Sequence, residues 1–303
     1  MAAEAETLTT GIKRSTARSR RRLPIRAAGL VCIAAGLTLL GILALWFRLH
    51  RDVPAAALPP AGEVLNVEPP FRFAIISDTR GNMSAFQAGL SRIKGTDASL
   101  ILHAGDIARR VNERQFNWVL QGIGEADLSV PLCVVPGNHD IAEDARDIRE
   151  RYRFYNRAFG PRRYWFGHGS ALFVAFDDAT EKVSPESLRW LDEVLRRHRG
   201  DYDLCFVWCH VPPRTVGVHH SLTDGDSEKL MRVLNGHEVD ALFTGHLHSY
   251  AEYELHGVPV YSTGGLGEDG PPGEPHGFLL CDVGADGTLS VGRQEVPLTP
   301  NND

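Results

Sequence analysis

From Phe71 onward, short apolar runs alternate with amphipathic stretches. The segments "FRFAIIS" (Phe71–Ser77), "SLILHAG" (Ser99–Gly105), "PLCVVPG" (Pro131–Gly137) and "YDLCFVWCH" (Tyr202–His210) are nearly continuous in apolar residues, the pattern of strands buried on both faces. Between them the spacing predicts helices: Ser84–Ile93 with Ser84 as N-cap, a stretch running through Trp118, an Arg/Glu-rich stretch from about Glu143 to Arg157, Ser184–Arg197 with Pro185 at its first position, and Asp226–Leu234. "YWFGHGSALFVAFDD" from Tyr164 reads as a hairpin whose second strand is Ala171–Phe176. After "VDALFTGHLH" (Val239–His248) the style changes to short alternating strands around glycine turns, including a hairpin signal at Asp286-Gly287. Strand–helix units followed by hairpins predict an α/β class, with one domain over 71–296, two facing sheets and helices outside.

The region before Phe71 reads differently. Residues 48–70 are rich in Pro and Ala without sustained periodicity and read as a linker. Residues 27–47, "AAGLVCIAAGLTLLGILALWF", carry no charge and are long enough for a transmembrane helix. Residues 1–26 hold seven basic residues against two acidic ones, a net +5; the formal charge of the whole chain is -6, so the remainder carries -11. Basic residues heavy before the apolar run and light after it predict a cytoplasmic N-terminus, a signal anchor, and a domain outside the cytoplasm. The alternative is a cleaved signal peptide, since "VPAAALPPAG" offers small residues to a peptidase and "SRRRLPI" resembles a twin-arginine export signal. The acidic body excludes a general nucleic-acid binder, which needs a basic face. Cys133, Cys205, Cys209 and Cys281 stand in strand-like runs without metal or CxxC spacing and read as small buried hydrophobes. Residues 297–303 read as a loose tail.

Five of the apolar runs end in a residue able to bind metal: Asp78, Asp106, Asn138 with His139, His210, and His246 with His248. Ligands in open α/β sheets gather beyond the carboxyl ends of the strands, so residues far apart in sequence converge there. A glycine immediately precedes the set at 105, 137 and 245, permitting sharp turns and close backbone approach. Asp140 reads as a cap of the following helix and His103 as a packed strand residue.

"GD" at 105–106, "GNHD" at 137–140, His210 after its apolar run and "GHLH" at 245–248 together resemble the calcineurin-like metallophosphoesterase superfamily, over Phe71 to about Val296. The resemblance implies a four-layer α/β/β/α sandwich and two divalent ions, with Mn, Fe or Zn suited to the donors. One ion would be held by Asp106, Asn138, His210 and His246, the other by Asp78, Asp106 and His248, with Asp106 bridging. It further implies a phosphorylated substrate, a metal-activated water attacking the phosphomonoester or phosphodiester in line, and His139 protonating the leaving oxygen or stabilising charge there.

One position departs from the pattern. The first motif of the superfamily is usually Asp-x-His, and here the third residue is Arg80. A guanidinium has no lone pair to donate, so the first ion loses a ligand. Purple acid phosphatases, a related group, place a tyrosine three residues after the second aspartate; that position is Arg109 here. Three readings stay open: both ions bind and Arg80 contacts the substrate phosphate; one ion binds and Arg80 partly replaces the other; or catalysis is impaired and the fold binds a phosphorylated ligand or protein partner. The segments 211–226 and 264–277 are predicted to rim the site, with Arg214, His219, His220 and His276 as solvated loop residues.

Overall fold

Alternation within the buried strands builds the layers. In the computed structural model, which describes residues 64–65, 69–215 and 217–297, strand β2 (Phe71–Ile76) turns Ala74 and Ile76 toward helices and Phe73 and Ile75 toward a second sheet. It belongs to a five-stranded mixed sheet of order β12-β11-β2-β3-β4, where β3 is Ala98–Ala104, β4 Leu132–Val135, β11 Gly277–Val283 and β12 Leu289–Glu295. The three strands β2, β3 and β4 run parallel, and β11 and β12 close that edge as an antiparallel hairpin. Helices α1 (Met83–Lys94), α2 (Glu113–Ala126) and α4 (Arg153–Phe159) cover its outer face through Phe86, Leu90, Phe116, Val119, Tyr155 and Phe159.

The second sheet has seven strands in the order β1-β5-β6-β7-β8-β10-β9, where β1 is Val64–Leu65, β5 Tyr164–His168, β6 Ala171–Ala175, β7 Leu204–Trp208, β8 Ala241–Thr244, β9 Tyr250–Leu255 and β10 Val258–Thr263. It too is mixed: β6, β7, β8 and β10 are parallel, while β5 and β9 are antiparallel to their neighbours β6 and β10. Leu172, Val174, Cys205 and Val207 meet helices α5 (Pro185–His198) and α6 (Asp224–Gly236) on its outer face. Between the sheets lies an aromatic centre, in which Phe73 packs edge-on to Phe173 (5.2 Å) and Phe243 (5.8 Å). Phe73 is fully buried, and truncating such a ring to alanine costs about 3–5 kcal/mol.

Several expectations shift in detail. Ser84 lies inside α1, and the cap is Asn82, whose side chain accepts from Ala85 N. The single helix expected over 143–157 is two short ones, α3 (Ile148–Arg151) and α4, parted at Tyr152. There tertiary contacts override the helical pattern: the Tyr152 ring is buried under the Arg162 guanidinium, and its hydroxyl donates to Asp177 Oδ1 (3.1 Å). Within the stretch expected as linker, Val64–Leu65 pairs in parallel with Gly167–His168. Cys133, Cys205, Cys209 and Cys281 are free and buried. Residues 1–26, the apolar run 27–47 and the tail beyond Pro297 lie outside the described residues. Among the described residues no helix is long and apolar enough to cross a membrane.

Candidate metal centre

Five of the parallel strands deliver their chemistry just past their last residues. Asp78 follows β2, Asp106 follows β3, Asn138 and His139 follow β4, His210 follows β7, and His246 follows β8. The first three strands belong to one sheet and the last two to the other, so the site spans the mouth of the sandwich. The backbone there is strained. Asp78, Arg80, Asp106, His246 and His248 all have positive φ, half of the ten such non-glycine residues described. A left-handed non-glycine residue costs roughly 1–2 kcal/mol, and such costs cluster at functional sites. Gly137 is required for close approach, since a Cβ there would lie 2.2 Å from Asp106 Oδ1.

All six ligands expected from the sequence come together. His210 donates from Nδ1 to the Ala104 carbonyl (2.8 Å), which turns Nε2 toward Asn138 Oδ1 (3.0 Å), His246 Nδ1 (3.1 Å) and Asp106 Oδ1 (3.5 Å). Beside this group, Asp78, Asp106 and His248 offer ligand atoms that lie within 4.8 Å of one another. Asp78 Oδ2 is held by Ser77 Oγ (2.5 Å) and His246 N (2.9 Å), whereas Asp78 Oδ1 is buried without a hydrogen bond among the described residues, facing only His248 Nε2 at 3.5 Å. A buried carboxylate oxygen without a donor, among converging lone pairs, fits divalent cations. Burial opposes a charge on His210, but Asp106 and Asp78 outweigh it and raise its pKa to about 9. Burial and the neighbouring His210 lower that of His246 to about 3. Without a cation the site takes up one proton, on His210, and refuses a second on His246; a metal ion bound there would displace the first.

The supporting carboxylates are less visible in sequence. Asp140 does not cap a following helix. It is fully buried and accepts from Ile107 N (3.2 Å), Ala108 N (2.8 Å) and Gly137 N (2.9 Å), tying the Asp106 loop to the Asn138 loop. Burial and then the Asp106 charge push its pKa up to about 7. Asp178, which sequence reasoning missed, accepts from the backbone N–H groups of His210 (2.9 Å) and Val211 (3.1 Å). A signal existed, because Asp178 also stands just past an apolar strand, β6. His103 is the packed residue expected, buried between Phe86 and Thr79.

His139 donates its backbone N–H to Asp106 Oδ1 (2.8 Å) and lines an open pocket of about 370 Å³ with Arg80, His220, His246, His248 and Asp269. Among the described residues no carboxylate hydrogen-bonds its ring. Arg80 does not ligate. Its Nη1 donates to Asp106 Oδ2 (3.3 Å), and its Nε lies 3.6 Å from Glu268 Oε2. Of the rim residues, His220 reaches the pocket wall, while Arg214 pairs with Asp224 (3.3 Å) and His276 faces Asp269 and the Gly265 carbonyl. A larger open depression of about 1060 Å³ runs along α2 past Arg110 and Trp118, but among the described residues no set of metal-binding groups converges on it.

The profile of the calcineurin-like phosphoesterase family matches residues 71–250, and the chain belongs to that family. It is 26% identical over 176 residues to a protein of Fibrobacter succinogenes named probable cyclic nucleotide phosphodiesterase, covering 55% of this chain and 64% of that one. It is 27% identical over 169 residues to one of Arcobacter nitrofigilis named probable glycerophosphodiester phosphodiesterase, covering 49% and 56%. The matched stretches thus span less than two thirds of these relatives. The fold is similar to that of a dimetal phosphatase from Danio rerio, with a TM-score of 0.58 at 14% identity, over 77% of this chain and 100% of that one.

Proposed function

We propose that the chain hydrolyses phosphoric esters with divalent metal held by Asp78, Asp106, Asn138, His210, His246 and His248. The observation that carries this reading is the convergence of these six groups, from five loops, beside a pocket walled by His139 and Arg80. Bound metal supplies Lewis acidity toward the phosphoryl group and an acidified water as nucleophile. The protein's own residues supply the rest. Asp106 places its two carboxylate oxygens toward the two halves of the ligand set, Oδ1 near His210 and Oδ2 near Arg80. The His139 ring, on the pocket wall, holds the proton that the leaving oxygen needs. The names of the two curated relatives support diesters as the first class to test.

The test is hydrolysis of aryl phosphate mono- and diesters with and without Mn²⁺, with Asp106→Asn as control. Metal-dependent turnover abolished in the control supports the reading. No turnover on a wide panel, with phosphate still bound, favours the alternative of a fold that binds a phosphorylated ligand or partner. The charge-free run 27–47 and its basic flank support a second part of the proposal, a single-pass anchor holding the domain outside the cytoplasm. Protease protection of the domain in intact cells, with digestion only after lysis, would refute that orientation.

A further inference from the structure

The replacement of an expected ligand by Arg80 is matched by a second residue that the sequence did not single out. The segment Gly264–Glu268 lies directly along the first ligand loop. Leu266 N donates to Ser77 O (3.1 Å), Gly267 N and Glu268 N both donate to Asp78 O (3.1 and 3.0 Å), and Asn82 Nδ2 donates to Gly267 O (3.0 Å). A Cβ at Gly267 would lie 2.3 Å from Thr79 O, so the two loops touch backbone to backbone. This seam delivers one carboxylate, Glu268, to the Nε side of Arg80. The arginine is anchored independently through Arg80 N to Asp106 O (2.9 Å), and its guanidinium is largely buried. Nη1 is on Asp106 and Nε faces Glu268; among the described residues nothing accepts from Nη2, and Arg80 walls the pocket beside His139 and His248.

We propose that Glu268 is the positioning residue of an anion clamp, holding the Arg80 fork so that its unclaimed amino group takes a non-bridging phosphoryl oxygen of the substrate. The proposal rests on the phosphoester reading of the same site. Held by the Nη1 hydrogen bond to Asp106 and drawn at Nε toward the Glu268 charge 3.6 Å away, the planar fork presents its remaining N–H groups in a set direction, which suits phosphate better than a swinging point charge. No bond is made or broken by the clamp.

The experiment uses the full chain loaded with Mn²⁺ and two probes, inorganic phosphate and an aryl phosphodiester. Glu268→Gln keeps the size and removes the charge. Its expected effect is phosphate affinity and KM both worse by about tenfold, the scale of one weakened charge-assisted hydrogen bond. Its kcat, melting temperature and metal content per chain should stay at the wild-type values, and Glu268→Asp should recover part of the loss. In the Arg80→Ala background, Glu268→Gln should add nothing further. Unchanged phosphate affinity and KM in Glu268→Gln would overturn the clamp while leaving hydrolysis standing. So would loss of a metal ion, which would place Glu268 in the ligand shell instead. Phosphate affinity that falls in Glu268→Gln, in a wild-type chain that turns nothing over, would keep the clamp and remove the hydrolase reading. A wild-type chain that binds no phosphate would remove the clamp.

Discussion

The Asp178 carboxylate accepts the backbone N–H of His210 at 2.9 Å, so the buried acid at the end of β6 sets where the imidazole beyond β7 stands. The contact passes through the main chain and is invisible to any argument about side-chain ligands. Asp178→Asn keeps one acceptor oxygen but turns an amide toward an N–H group that needs an acceptor. Metal affinity should fall by roughly 10–100-fold, the scale for residues that support ligands without touching metal. Titration of the chelated chain with Mn²⁺ measures it.

Gly137→Ala puts a methyl group against Asp106 Oδ1. The neighbour is a carboxylate already fixed by the His139 N–H (2.8 Å), so it cannot move aside cheaply. Turnover should drop as far as in Asp106→Asn, with a lower melting temperature. Gly200→Ala is the control: nothing lies within 4 Å of its Cβ, and both quantities should match wild type.

Arg80→His adds a lone pair beside Asp78, Asp106 and His248 and removes the phosphate-directed fork. Calorimetry should show tighter binding of the ion at that position, and kinetics a higher KM. Tighter metal with an unchanged KM would mean that the arginine only thins the ligand shell.

His168 carries a pH dependence far from the metal centre. Ser99 Oγ donates to Arg72 O (3.0 Å), so His168 Nε2 donates to Ser99 Oγ (2.8 Å), and Nδ1 is buried with no partner among the described residues. A proton on Nδ1 would find no acceptor, and burial lowers the pKa from 6.5 to about 4. The folded-state value lies below the unfolded one, so the unfolded chain binds the extra proton between these limits. Stability is therefore intact above about pH 6.5 and falls as the pH drops toward 4. Between pH 8 and pH 5 the loss from this residue is roughly 2 kcal/mol. Urea unfolding of wild type and His168→Gln at both pH values should show the gap between them narrowing by that amount in acid.

The convergence of the six residues was legible in the sequence because strand ends are marked twice, by the close of an apolar run and by a residue with a lone pair. The glycines at 105, 137 and 245 added a third mark. Layer order was legible for the same reason, since strands apolar on both faces require covers on both sides. What escaped was set by contacts at long range. Tyr152 divides an otherwise helical stretch because its ring and hydroxyl are claimed by Arg162 and Asp177. Asp140 and Asp178 look like loop acids until the N–H groups that face them are known. Glu268 sits in a Gly/Pro-rich segment with no periodicity, and only the backbone ladder along Ser77–Asp78 reveals its partner.

The division of ligands between the sheets has a mechanical meaning. Asp78, Asp106 and Asn138 ride on one sheet, and His210, His246 and His248 extend from the other. An ion gripping both sets, as proposed, would rivet the two leaves of the sandwich at the mouth where these loops meet. Withdrawing it with a chelator should do more than silence the site. It should lower the melting temperature, and hydrogen exchange should quicken first at the amides of the five ligand loops, along the line where the leaves part.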